Sequence, residues 1–273
     1  MEDLHWSDSA TLELIAQVAT LASVEPLMVL CVLRPDRGAA SWPLVDRLQA
    51  SLGEAFARID LEPLGAADSG ALLGNLLHIE NLPEDVKAKI IERSDGNPFY
   101  LEEVLRSLID CGQVVREEGK WRATRAIVNA NIPETLAGVL SARIDRLPTD
   151  AKRLLLTAAV IGKDVPAVLL HAVAGMTEDA IQGALDQLQA AEFLHQTRRF
   201  PDPEYTFKHA LTHEVASGSL LRERRKLLHG RIVGAIERSY PGRLTEHVER
   251  LAHHAVRGEM WEAAVKYLRL AGT

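Results

Sequence analysis

Cysteine is almost missing: Cys31 and Cys111 are the only two in 273 residues, they lie far apart, and neither belongs to a CxxC pair. That leaves no disulfide framework to expect and points to a reduced, cytoplasmic setting. Aromatic residues are scarce at 5%, while 47% of the chain is hydrophobic with frequent Ala and Leu. Such a balance predicts a mostly helical protein packed through small and aliphatic side chains. Positive charge is in deficit, with a formal net charge of -7. A nonspecific nucleic-acid surface needs clustered Lys and Arg, so the charge argues against one. No apolar run approaches the roughly 20 residues needed to cross a bilayer, and the N-terminus is acidic rather than basic, which predicts no membrane contact and no export signal.

Chemical motifs are equally thin. A phosphate-gripping loop of the form Gly-x-x-x-x-Gly-Lys-Ser/Thr is absent; the only Gly-Lys pairs, Gly119-Lys120 and Gly162-Lys163, lack both the following hydroxyl and the preceding glycine. Thr212-His213-Glu214 imitates the start of the zinc motif HExxH, but Ser217 stands at the second histidine position. No Ser/His/Asp or Cys/His set has local support for nucleophilic catalysis.

What remains is organisation. Apolar residues recur at helical spacing from Asp8 to Ala22, with Asp8 or Ser9 available as cap. The unbroken run Leu27 to Leu33 then predicts a strand covered on both faces, stopped by Arg34-Pro35-Asp36. A second short strand is predicted near Ala57 to Leu61. Beyond Leu64 the reading is helical over 68–77, 84–94, 99–110, 133–146, 150–161, 165–173 and 178–191, interrupted by hairpins at Gln113 to Thr124 and Phe193 to Phe207, the latter with Pro201 and Pro203 in its turn. Three short helices and a hairpin from Pro148 to His209 have the plan of a winged helix. From Leu220 the chain is helical again, and Met260 to Gly272 has the spacing of one helix of a tetratricopeptide-like pair.

Several segments, taken in order, resemble the signal transduction ATPases with numerous domains, in the branch often joined to bacterial class III adenylate and guanylate cyclases. EDLHWSD at Glu2 to Asp8 is similar to that family's Walker B segment, and VLRPD at Val32 to Asp36 to the strand and arginine that follow it. GNPFYLEE at Gly96 to Glu103 resembles the motif opening the lid helix. IPETLAGVLSARIDRLP at Ile132 to Pro148, AAVIGKDV at Ala158 to Val165 and YTFKHALTHEVA at Tyr205 to Ala216 follow in the expected order.

The resemblance implies roles. Glu2 would help hold Mg²⁺ and Asp3 would polarise the attacking water. Arg34 would sense the γ-phosphate, Pro98 would contact the adenine side of ATP, and His209 would dock against the β-phosphate; Ala210 replaces the acidic residue usual after that histidine. It also implies a multidomain, mainly α fold. Residues 1–63 would be a remnant of a P-loop α/β core, 64–147 a helical lid, 148–218 a winged helix, and 219–273 the start of a helical array. ATP and Mg²⁺ would belong to an intact parent ATPase, possibly fused to a nucleotide cyclase, while the chain alone would be inactive without the phosphate loop. Its partners would be other proteins or the missing N-terminal P-loop and output domains. Two other readings stay open: a noncatalytic protein-interaction module, and a winged-helix DNA-binding regulator. The acidic helix at 178–191 speaks against the second.

Overall fold

Helix α1 (Ser9–Leu21) starts where Asp8 accepts a hydrogen bond from the Thr11 amide at 2.7 Å, satisfying one of the amides left free in a first turn. Its Leu12, Ile15, Ala16 and Ala19 form a buried stripe. Leu12, Ile15 and Ala16, with Leu4 and with Leu44 of α2 (Ser41–Leu52), make the small apolar core of the first of two compact units, Met1–Glu62 and Pro63–Thr273. This computed structural model describes residues 1–199 and 202–272, so the expected turn proline Pro201 lies outside the described residues.

The run Leu27 to Leu33 is extended, and its backbone pairs with the start of the chain. The Met1 amino group donates to Leu30 O at 2.6 Å, Val32 N to Met1 O at 2.8 Å, and Leu4 N to Val32 O at 3.0 Å. These bonds run two segments side by side in the same direction with α1 between them, as in half of a βαβ crossover. The expectation of a strand buried on both faces is not met. Met28 is 86% exposed and Leu30 65%, and no regular strand forms because Asp3, in a left-handed conformation with φ 55°, interrupts the register. Ala57 to Leu61 forms no strand and joins neither sheet, leaving Ile59 and Leu61 exposed. An apolar run specifies extended backbone; a sheet also needs neighbouring strands to accept its amides.

The second unit begins with α3 (Ala66–Leu76), β1 (Ile79–Glu80), α4 (Glu84–Ser94), α5 (Pro98–Asp110), β2 (Val114–Glu117) and β3 (Lys120–Ala123). The β2–β3 hairpin turns at Glu118-Gly119, where both residues have positive φ, and β1 joins β3 in parallel to give the order β1-β3-β2. Leu73, Ile90, Tyr100, Leu101, Val104 and Val114 close one apolar core. Helix α6 (Leu136–Arg146), capped by Thr135 onto the Gly138 amide, leaves that core at Val139 and reaches a second one at Ile144.

Around the second core the chain runs α7 (Thr149–Ile161), β4 (Asp164–Pro166), α8 (Ala167–Ala174), α9 (Glu178–Ala190), β5 (Leu194–Arg198) and β6 (Glu204–Phe207). The three strands pair antiparallel in the order β4-β6-β5. Helices α10 (Ala210–Gly218), α11 (Arg222–Ser239), α12 (Val248–Arg257) and α13 (Trp261–Ala271) continue the same core, which stretches from Leu154 through Phe207 and Ile232 to Tyr267. The fold is mainly helical with two small sheets, and among the described residues no helix is long and apolar enough to cross a membrane.

Candidate functional site

The residues singled out by motif fall into two groups. In the first unit, the backbone pairing of Met1–Leu4 with Leu30–Val32 brings Glu2, Asp3 and Arg34 to the same end of two parallel segments, all three exposed. The carboxyl ends of parallel strands are where open α/β sheets carry their ligand-binding groups. Two carboxylates and a guanidinium there can meet a hydrated cation and an anion. They cannot by themselves enclose either.

In the second unit the segment Gly96-Asn97-Pro98 is held by its glycine. Gly96 has φ 71°, and a Cβ at that position would lie 2.4 Å from Leu64 O and 2.7 Å from Leu64 N. Only glycine lets the strand-like Leu64 approach closely enough for its amide to donate to Gly96 O at 2.9 Å. Asn97 then caps α5 through Oδ1, which accepts from the Phe99 amide at 3.0 Å, and Pro98 occupies the first helical position, where its missing N–H costs nothing. Pro98 is exposed; the ring beside it is not idle. Phe99 stacks on His209 with centroids 3.8 Å apart and planes tilted by 41°. Residues of two distant motifs, GNPF and FKHA, thus meet.

His209 sits at the N-terminus of α10 with its Nε2 buried and without a hydrogen-bond partner. Burial pushes its pKa below the ordinary histidine value, although the nearby Glu103 carboxylate opposes the shift. A neutral ring with an orphaned nitrogen is an unsatisfied donor or acceptor, which proteins keep rarely.

Glu103, Arg106 and Asp110, further along α5, enter a charge network that the motif reading did not single out. Arg143 of α6, 3% exposed, donates to Glu103 at 2.5 Å, to Asp110 at 3.0 Å and to the Ala191 carbonyl at 2.9 Å, with Phe193 under its guanidinium. The signal was present as an arginine on the apolar face of a helix in SARIDR, a position that needs a buried acid to be tolerable.

Neither Gly-Lys pair is a phosphate cradle. Lys120 stands in β3 and donates to Glu80 at 2.7 Å, and Gly162 ends helix α7. His213, of the incomplete zinc motif, has its Nε2 2.9 Å from the Ala159 carbonyl, and no group of three or more His, Cys, Asp or Glu among the described residues is arranged to hold a metal.

No protein-family model matches the chain. It is similar to an uncharacterized protein of Rhizobium meliloti (strain 1021), 26% identical over 277 aligned residues that cover all of this chain and 25% of the relative. The chain thus spans about a quarter of the length of the curated relative it matches.

Proposed function

We propose that this chain is the acidic-strand, lid and winged-helix portion of a signalling ATPase, a nucleotide switch that does not hydrolyse ATP without a phosphate loop supplied from elsewhere. The observation that carries the reading is the stacking of His209 on Phe99, beside Gly96-Asn97-Pro98, with a buried nitrogen left unpaired. In a switch of this kind the lid opening and the histidine of the winged helix face one nucleotide, and differential contacts to that nucleotide bias two arrangements. The order helix, strand, helix, helix, strand, strand over Thr149–Phe207, with the first strand paired to the last, supports the winged-helix assignment of 148–218. The common edge of Glu2, Asp3 and Arg34 supports a Walker B and sensor assignment. When bound, Mg²⁺-ATP would supply the transferable phosphoryl group; in the first unit Glu2 would bind the cation and Asp3 would hold a proton from water.

A protein-interaction role is a second reading, favoured by the exposed stripe Trp261, Val265 and Leu268 along α13. DNA binding is disfavoured: the solvent face of α9 offers Glu178, Asp179, Gln182 and Asp186 and not one Lys or Arg. Titrating Mg²⁺-ADP and Mg²⁺-ATP into the chain while following the histidine ring signals by NMR tests the proposal. Weak binding centred on His209, lost in His209→Ala, supports it. Silence at every histidine leaves the interaction role, and ATP turnover that vanishes in Asp3→Asn refutes the claim that the chain is inactive alone.

A further inference from the structure

The two apolar cores of the second unit share no residue: one closes around Tyr100 and Leu101, the other around Leu154 and Phe207. Helix α6 runs from one to the other, and beside it the seam is polar. At its centre Arg143 and Glu103 are almost wholly buried, with side-chain exposures of 3% and 6%. At its rim Glu192, the second residue after α9, receives Arg106 at 2.7 Å through one carboxylate oxygen and Lys208 through the other. These three side chains are 29 to 38% exposed, so solvent and salt reach them. Lys208 precedes His209, which adds the ring contact to Phe99.

Glu192 is an unusual residue for its place. Its φ is 58°, the left-handed conformation that ends many helices and that glycine or asparagine normally supplies. A glutamate there meets a steric cost that its backbone alone does not justify. What the position gains is a carboxylate aimed at both Arg106 and Lys208. Burial works against ionisation of that carboxylate, and the hydrogen bonds from Lys208 and Arg106 outweigh it, so its pKa is lowered.

We propose that Glu192 is the releasable member of an electrostatic clasp between α5 and the end of α9. With the clasp closed, residues 63–136 and 149–207 move as one body; with it broken they part along the seam, pivoting on α6, where Arg143 stays bound. The clasp needs no nucleotide, so its test is independent of the function proposed above. A packed apolar seam would resist salt, whereas the partly exposed Arg106–Glu192 pair that crosses it, with Lys208 holding the carboxylate from its own side, responds to salt.

Hydrogen exchange on the whole chain, read by mass spectrometry, is the experiment. Glu192→Gln should speed exchange at residues 97–106 and 192–194 by roughly two- to fivefold, the effect of losing one ion pair of ordinary strength across the seam. Raising salt to about 1 M should do the same to the unaltered protein, with helix α7 unaffected in both cases. Glu192→Gly removes the carboxylate while relieving the backbone, so it stays folded and must show the same local speeding. Arg106→Gln combined with Glu192→Gln should exchange no faster than Glu192→Gln alone. Unchanged exchange at the seam in Glu192→Gly, or speeding spread evenly over both cores, or additive effects in the double variant, would each overturn the clasp.

Discussion

At Gly96 and Arg143 single side chains decide whether the second unit holds its form. The Gly96→Ala variant combines a positive φ with a methyl group inside van der Waals contact of the Leu64 backbone. Left-handed strain and overpacking together should lower stability by roughly 2–5 kcal/mol, measured as a shift of the urea midpoint. Arg143 makes a different kind of test, since its partners are what suffer. Arg143→Met strands Glu103, which is 5% exposed, and should cost about 3–5 kcal/mol; adding Glu103→Leu should recover most of that loss, because two apolar groups need no partner. A double variant as unstable as the single one would mean that the bond from Arg143 to the Ala191 carbonyl, rather than the ion pair, holds the junction.

Among the elements, helices α11 and α12 meet through a pair of histidines. His229 Nδ1 lies 2.8 Å from His254 Nδ1, so one ring donates and the other accepts, and protonating the accepting nitrogen breaks that bond. Burial, reinforced by His253 and by Arg257 and Arg225, lowers His229 to about 4. Burial, with His229, His253 and Arg250, lowers His254 to about 3. Because the folded values lie below the unfolded one, the unfolded chain takes up protons first as pH falls. The stabilising effect is complete above the ordinary histidine value of 6.5 and is lost progressively below it. Each histidine should cost about 1.4 kcal/mol per pH unit in that window. Thermal midpoints between about pH 7.5 and 5, above the range where carboxylates dominate, should fall more steeply in the parent than in His229→Leu/His254→Leu, where His209, His213, His247 and His253 keep a smaller dependence. The same packing explains why Gly258 lies there: a Cβ would sit 3.2 Å from the Gly230 amide.

This level also shows what periodicity can and cannot tell. The helix at Glu84–Ser94 and the turn at Glu118-Gly119 were legible because a proline, an acidic first turn and a Glu-Gly pair act locally. Helix α2 was not anticipated, since Ser41-Trp42-Pro43 resembles a loop until Trp42 finds the guanidinium groups of Arg37 and Arg58 over its ring. The two-residue strand β1 and the burial of His254 were equally hidden, as both depend on partners distant in sequence. At the candidate site the motif residues could be named from sequence, but the Phe99–His209 contact and the Arg143 network could not, because contact is a property of the fold rather than of spacing.

For the whole molecule the two units differ sharply in what holds them. The first rests on Leu4, Leu12, Ile15, Ala16 and Leu44, while Met28, Leu30, Ile59 and Leu61 face solvent. A core of that size in about 60 residues supplies no more than about 3–5 kcal/mol. The second unit has two larger cores and should outlast it. Trp42, 6% exposed, is the tryptophan best placed to report the first unit; Trp6 and Trp261 are already exposed. In a urea titration, tryptophan fluorescence should therefore change before most of the far-UV circular dichroism is lost, and Trp42→Phe should remove that early phase. Coincident fluorescence and dichroism curves would mean that the first unit draws stability from something other than its own five-residue core.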